Sequence, residues 1–149
     1  MKNNKLDHID LKIIQMLQKN ARISLKEIAK VVFLSSPAVS ARIKTLMDAE
    51  YITGFYACVN PKSFGYCIKA FINVEVDLTD KKTFYPFIRS QGCVIECNCV
   101  TGDYSMLLEV LFSSTDKLDE FIGKLQRFGK TKTLIVFSTV IEHRDVDIQ

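Results

Sequence analysis

A chain of 149 residues holds one ordinary domain or two small ones. Hydrophobic residues make up 48%, enough for a packed interior, and this excludes a disordered chain. The net charge of +3 marks no partner by itself, but it is unevenly spread: residues 1–55 carry nine Lys/Arg against five Asp/Glu, and the remainder eleven against twelve. The cationic excess therefore lies in the first part of the chain, where a phosphate-contacting module needs it. No apolar run approaches the roughly 18 residues of a membrane span, and the opening Met-Lys-Asn-Asn-Lys has no secretory-signal core. Five cysteines, an odd number without secretory context, read as free thiols in a reducing cytoplasm.

The first helix is predicted to start near Asp7. Ile9, Ile13, Met16 and Leu17 recur at helical spacing and define one inward stripe. Asp7 and Asp10 stand at its positive end, where carboxylates are favoured. A second helix starts after Ser24, with Glu27 three residues on as the partner of a capping box. Leu25, Ile28, Ala29 and Val32 form its stripe, and Phe33 and Leu34 are expected to close it and plug the core.

A third helix begins at Ser35 or Ser36, with Pro37 in a first turn that lacks N–H partners anyway. Val39, Ile43, Leu46 and Met47 face inward. Ser35, Ser36, Pro37, Ala38, Ser40, Ala41, Arg42, Lys44 and Thr45 occupy the leading end and the outer faces, with no acid before Asp48. A helix that enters a major groove must approach closely, which suits short side chains. Serine hydroxyls and a helix N-terminus bind phosphate oxygens, and Arg42 and Lys44 reach phosphates or guanine edges. Three capped helices within fifty residues point to a helix-turn-helix and to double-stranded DNA as partner. Tyr51–Val59 alternates around Gly54 and is expected to form a short hairpin, the wing. The first domain is thus placed at 1–59 and a linker at 60–66.

From Cys67 the apolar period changes to two. Ile68, Ala70, Ile72, Val74 and Val76 predict a strand, followed by a helix within Thr79–Gln91 in which Pro86 implies a late start or a kink. Strands follow at Val94–Thr101 and Ser105–Phe112, joined by Gly102-Asp103-Tyr104. A helix capped by Thr115 and a last strand over Thr131–Ile141 complete the chain. This order, βαββαβ, gives an α+β protein whose second domain, 67–149, is ferredoxin-like. Apolar residues of both parities in the last strand call for cover on both faces, which a second copy of the sheet would supply.

No enzyme signature is present. His8 and His143 have no nucleophile or carboxylate at catalytic spacing, and the six glycines are scattered rather than grouped in a phosphate loop. Cys97-x-Cys99, with Cys93 nearby, lacks a second Cys or His pair at ligand spacing, so packing is its expected role. No metal and no cofactor are expected.

Four stretches carry a resemblance that spans nearly the whole chain: LDHIDLKIIQMLQKNARIS, LSSPAVSARIKTL, YITGFYACVNP and VTGDYSMLLEV. With a winged helix-turn-helix followed by a βαββαβ domain, the chain resembles the Lrp/AsnC (feast/famine) transcription regulators. The resemblance implies a homodimer that assembles further, often to an octamer, binds promoter DNA and senses an amino acid at the interface between dimers. It also turns Gly102, Asp103, Tyr104 and Ser105 into effector-binding candidates: backbone N–H groups in such a turn hold a carboxylate, and Tyr104 closes over an apolar side chain. Two positions depart from the family pattern. Ser105 stands where the family often has Asp, which removes a carboxylate able to pair with a ligand amine, and Glu50 stands where it often has Gly. The expected function is a cytoplasmic, sequence-specific, effector-controlled regulator; the alternative is an architectural DNA-wrapping protein with no effector.

Overall fold

The computed structural model describes residues 6–142 and 145–148. Two compact units divide the chain: residues up to Cys58 together with the stretch from Ile141 on, and Val59–Val140.

The first unit holds α1 (His8–Lys19), α2 (Leu25–Val32) and α3 (Ser36–Asp48). Ile13, Leu17, Ile28, Ala29, Val32, Val39 and Leu46 form its core, with Ile9, Met16, Leu34 and Ile43 packed around them. Each helix start is fixed by side chains. Asp7 and Asp10 form a reciprocal capping box on α1, the Asp10 N–H donating to Asp7 Oδ1 at 2.7 Å. On α2, the Glu27 N–H donates to Ser24 Oγ at 3.2 Å and the Ser24 N–H to Glu27 Oε2 at 3.0 Å, as the sequence foretold. The α3 cap is Ser35, whose Oγ accepts from the Ala38 N–H at 3.3 Å.

The helix ends hold a correction. Phe33 does not plug the core: it is 92% exposed and adopts the left-handed conformation, φ +55°. The Leu34 N–H bonds the Ala29 carbonyl five residues back, a Schellman ending, and the left-handed residue inside that motif swings its side chain outward. The end of α3 repeats the device with Glu50 at φ +60° and the Tyr51 N–H on the Leu46 carbonyl. Met47, expected inward, is 41% exposed.

Residues 51–59 form no strand, so the expected wing hairpin is absent from the described residues. Its arms are short and have no third strand to pair with, and an isolated hairpin is marginal in water. The Tyr56 ring also folds back over Gly54, against the space a side chain there would fill. Past this stretch, a 3-10 turn (Pro61–Phe64) leads into the second unit.

The second unit runs β1 (Ile68–Val74), α4 (Lys81–Arg89), β2 (Val94–Cys99), β3 (Met106–Phe112), α5 (Thr115–Leu125) and β4 (Thr131–Ile135). The sheet order β2-β3-β1-β4 is wholly antiparallel, the arrangement of the split βαβ fold. Alternate residues of β1 and β3 (Ala70, Ile72, Val74; Met106, Leu108, Val110) are buried with Phe84, Ile88, Leu118, Phe121 and Leu125. Helix α4 starts at Lys81, two residues after Thr79, and carries Pro86 inside it. The α5 cap is Ser114 rather than Thr115, its Oγ accepting from the Lys117 N–H.

Strand β4 stops at Ile135, six residues short of the predicted Ile141. Its ladder with β1 reaches Ala70↔Ile135, and one further bond joins the Val136 N–H to the Lys69 carbonyl. Since β1 itself begins at Ile68, the chain beyond Val136 has no intramolecular strand partner among the described residues. Phe137 and Val140 are consequently solvent-exposed.

The tail also differs from the expected domain plan. Residues 145–148 lie on the first unit: the Gln15 side-chain amide donates to the Ile148 carbonyl at 2.9 Å, that of Gln18 to the Val146 carbonyl at 3.1 Å, and Ile148 packs against the helical core.

Candidate nucleic-acid interface and effector turn

Burial of Val39 and Leu46 fixes the rotation of α3 about its axis. Ser35, Pro37, Ser40, Ala41, Lys44 and Thr45 are then exposed, and Ser36, Ala38 and Arg42 are half-buried along its flanks. The exposed face is short-chained at its leading end and free of acids, so it offers close approach to a polyanion. Two of its hydroxyls already have backbone partners. Ser35 Oγ serves the cap, and Thr45 Oγ1 donates to the Ala41 carbonyl at 3.0 Å.

Arg42 has partners within the protein. Its Nη1 lies 2.6 Å from Asp10 Oδ1 and 2.8 Å from Asp7 Oδ2, so one guanidinium nitrogen bridges both carboxylates of the α1 capping box. The pairing with Asp10 and then Asp7 raises the Arg42 pKa, and the Asp7 carboxyl is held below 3.8 by the Asp10 backbone N–H and by Arg42. Arg42 therefore ties the outer helix to the start of α1. Lys44 keeps an exposed ammonium on α3, with Lys26 and Lys30 exposed on α2. His8 is exposed at the start of α1, and His143 lies outside the described residues.

Sequence reasoning missed two features here, the Arg42 bridge and the solvent position of Phe33 beside the α3 cap. The first had a faint signal in two acids at the α1 start awaiting a cation. The second had one in an aromatic at a position where helices commonly end on glycine.

The effector candidates form the β2–β3 turn. Gly102 has φ +110°, a conformation side-chain-bearing residues avoid. Gly102 and Asp103 are exposed, and Tyr104 is half-buried. Ser105 is turned inward: its Oγ accepts from the Val76 N–H at 2.8 Å and donates to the Val76 carbonyl at 3.1 Å. The Ser105 N–H also donates to the Val74 carbonyl. Ser105 thus clamps the start of β3 to the end of β1, and its hydroxyl is engaged by backbone. A cleft lined by Tyr66, Gln91, Phe112, Lys117 and Phe121 lies at the opposite end of β3 from this turn.

Comparison with known proteins agrees with this arrangement. The family description "winged helix-turn-helix DNA-binding" matches residues 6–53, and "Lrp/AsnC ligand binding domain" matches residues 69–146. The transcriptional regulator FL11 of Pyrococcus furiosus is 33% identical over 97% of both chains. LrpA of Bacillus subtilis is 35% identical, spanning 88% of this chain and 97% of its own. Among solved structures, the Neisseria meningitidis regulator NMB0573 in complex with L-Met superposes with a TM-score of 0.85 at 28% identity, over 93% of this chain and 94% of that one. A DNA-binding helix-turn-helix joined to an effector-type α/β unit, matched along both parts, places the chain in the Lrp/AsnC family of transcription regulators.

Proposed function

We propose that this regulator reads duplex DNA with the outer face of α3, as a homodimer that assembles further, to an octamer, in the cytoplasm. Ser36, Ala38, Ser40 and Ala41 meet base edges and the sugar–phosphate walls, with Ser35, Pro37 and Thr45 at the margins. Lys44 supplies phosphate attraction, and Arg42 acts by holding α3 against α1. The observation that carries the reading is the acid-free, short-chained outer face of a helix whose inner face is locked into the core. The turn Gly102–Ser105 is the effector contact. Its backbone N–H groups take a carboxylate, Tyr104 covers the ligand side chain, and Ser105 keeps the turn in place. The L-Met complex of the Neisseria regulator supports an amino acid as the ligand class. The architectural alternative is not favoured, because residues 69–146 match a ligand-binding domain.

Selection of bound sites from random duplexes, with and without pooled amino acids, tests the whole reading. Paired half-sites and a shift on adding amino acids are expected. Ser40→Glu abolishes binding while the assembly stays intact; retained binding would remove α3 from the groove.

A further inference from the structure

Among the described residues, Phe33 and Glu50 are the two that take a left-handed φ without being glycine. Their turns are built alike, the N–H of the next residue bonding the carbonyl five positions before it. The side chains differ. Glu50 presents water with a charge, whereas Phe33 presents it with an almost wholly exposed aromatic ring. A bulky residue in this conformation is an outlier. The ring joins neither hydrophobic core and enters none of the ring pairs or the cation–π contact among the described residues. Phe33 therefore strains the end of α2 and buries almost nothing. Strain that folding does not use points to a function outside the fold.

Its place in the chain says which. Ser35, the cap of α3, is two residues on, so the two Cα atoms are at most about 7 Å apart. Phe33 thus stands at the leading end of α3, just ahead of its short-chained outer face. No acid occurs between Glu27 and Asp48, while Lys30, exposed on the last turn of α2, and Lys44 are cations. An exposed ring in an acid-free, cation-bearing surface fits a partner whose outside is anionic and whose recessed groups include apolar ones. Duplex DNA is such a partner. In the major groove its apolar group is the 5-methyl of thymine, which a phenylalanine ring contacts directly.

We propose that Phe33 is a specificity-determining residue, its ring resting on the 5-methyl group of a thymine at the edge of each half-site. The inference rests on the reading of α3 as the groove helix and adds to it a base contact made from the turn before that helix. It also gives the strained turn a use: the ring that weakens the fold strengthens recognition.

The test uses the full chain and a duplex recovered by selection from random sequences. Each thymine of one half-site is replaced in turn by deoxyuridine, which removes the methyl group alone. For the unaltered protein, one such exchange is expected to weaken binding about fourfold, the worth of one buried methyl group. Phe33→Gly and Phe33→Ala should bind the thymine duplex at least about fourfold more weakly and be indifferent to that same exchange. Glycine relieves the strain and alanine keeps the backbone stiff, so a loss shared by both belongs to the ring. Affinities are compared at a temperature where circular dichroism shows every variant folded. Undiminished affinity in either Phe33 variant, or an unchanged response to every exchange, overturns the contact. Ser40→Glu on the same duplex separates the two failures. If it abolishes binding while the Phe33 variants bind as before, the ring contact alone falls; if it still binds, or if no duplex is recovered, the α3 reading falls and takes the contact with it.

Discussion

Left-handed turns are built differently in the two units. In the helical unit, Phe33 and Glu50 close α2 and α3 with φ of +55° and +60°. In the sheet unit, the positive-φ positions Gly65, Gly102 and Gly129 are all glycines. At Gly129 the reason is space, whereas a Cβ at Gly65 or Gly102 would meet nothing within 4 Å and only the backbone conformation favours glycine there. A Cβ at Gly129 would run into the backbone carbonyl of Glu75, because the adjacent Lys130 carbonyl accepts the Glu75 N–H at 2.9 Å. Phe33 and Glu50 point into solvent, so their side chains meet no obstacle and only the conformational penalty remains. A left-handed φ favours glycine; a close backbone approach requires it.

The largest expected effect tests the spatial half of that contrast. Gly129→Ala should destabilise the sheet unit by ~3 kcal/mol or prevent its folding, read from urea melts of soluble protein. A loss under ~1 kcal/mol would mean that the β1 end yields freely. Next in size is Arg42→Ala, which severs the α3–α1 tie. Because the partners are partly exposed, the cost is ~1 kcal/mol, while the salt dependence of DNA binding keeps its slope. Lys44→Ala should do the reverse, sparing stability and lowering the slope by about one.

The conformational half is tested by Phe33→Gly and Glu50→Gly. Each removes left-handed strain and should stabilise the helical unit by ~0.5–1 kcal/mol, net of the added freedom of glycine in the unfolded chain. A destabilisation would show that the side chain makes a contact outweighing its strain. Smallest is an acid effect. The folded-state pKa of Asp7 lies below 3.8, so its stabilising contribution is complete above 3.8 and disappears as pH falls through the lower value. Asp7→Asn should flatten the acid limb of the stability curve for the helical unit, as followed by far-ultraviolet circular dichroism.

Local signals carried most of the fold. The Ser24/Glu27 box, the Ile13–Leu17 stripe and the strict alternation of β1 each depend on neighbours a few residues away, and each formed where its spacing indicated. What stayed illegible depended on distant partners. The end of β4 was set by where β1 begins, not by its own apolar residues. Phe33 looked like core from its chemistry, but the turn it occupies decided its direction. The pairing of Arg42 with Asp7 and Asp10 was hidden because the fold brings them together across more than thirty residues of chain. The outer face of α3 was legible because it follows from helical period alone, whereas the role of Ser105 required the return of β1 beside it.

The placement of Ile148 among the helices has a practical corollary for handling this molecule. Residues 145–148 belong to the same unit as the three helices, so a fragment that stops at Cys58 lacks part of it. A chain cut after Cys58 loses the amide contacts of Gln15 and Gln18.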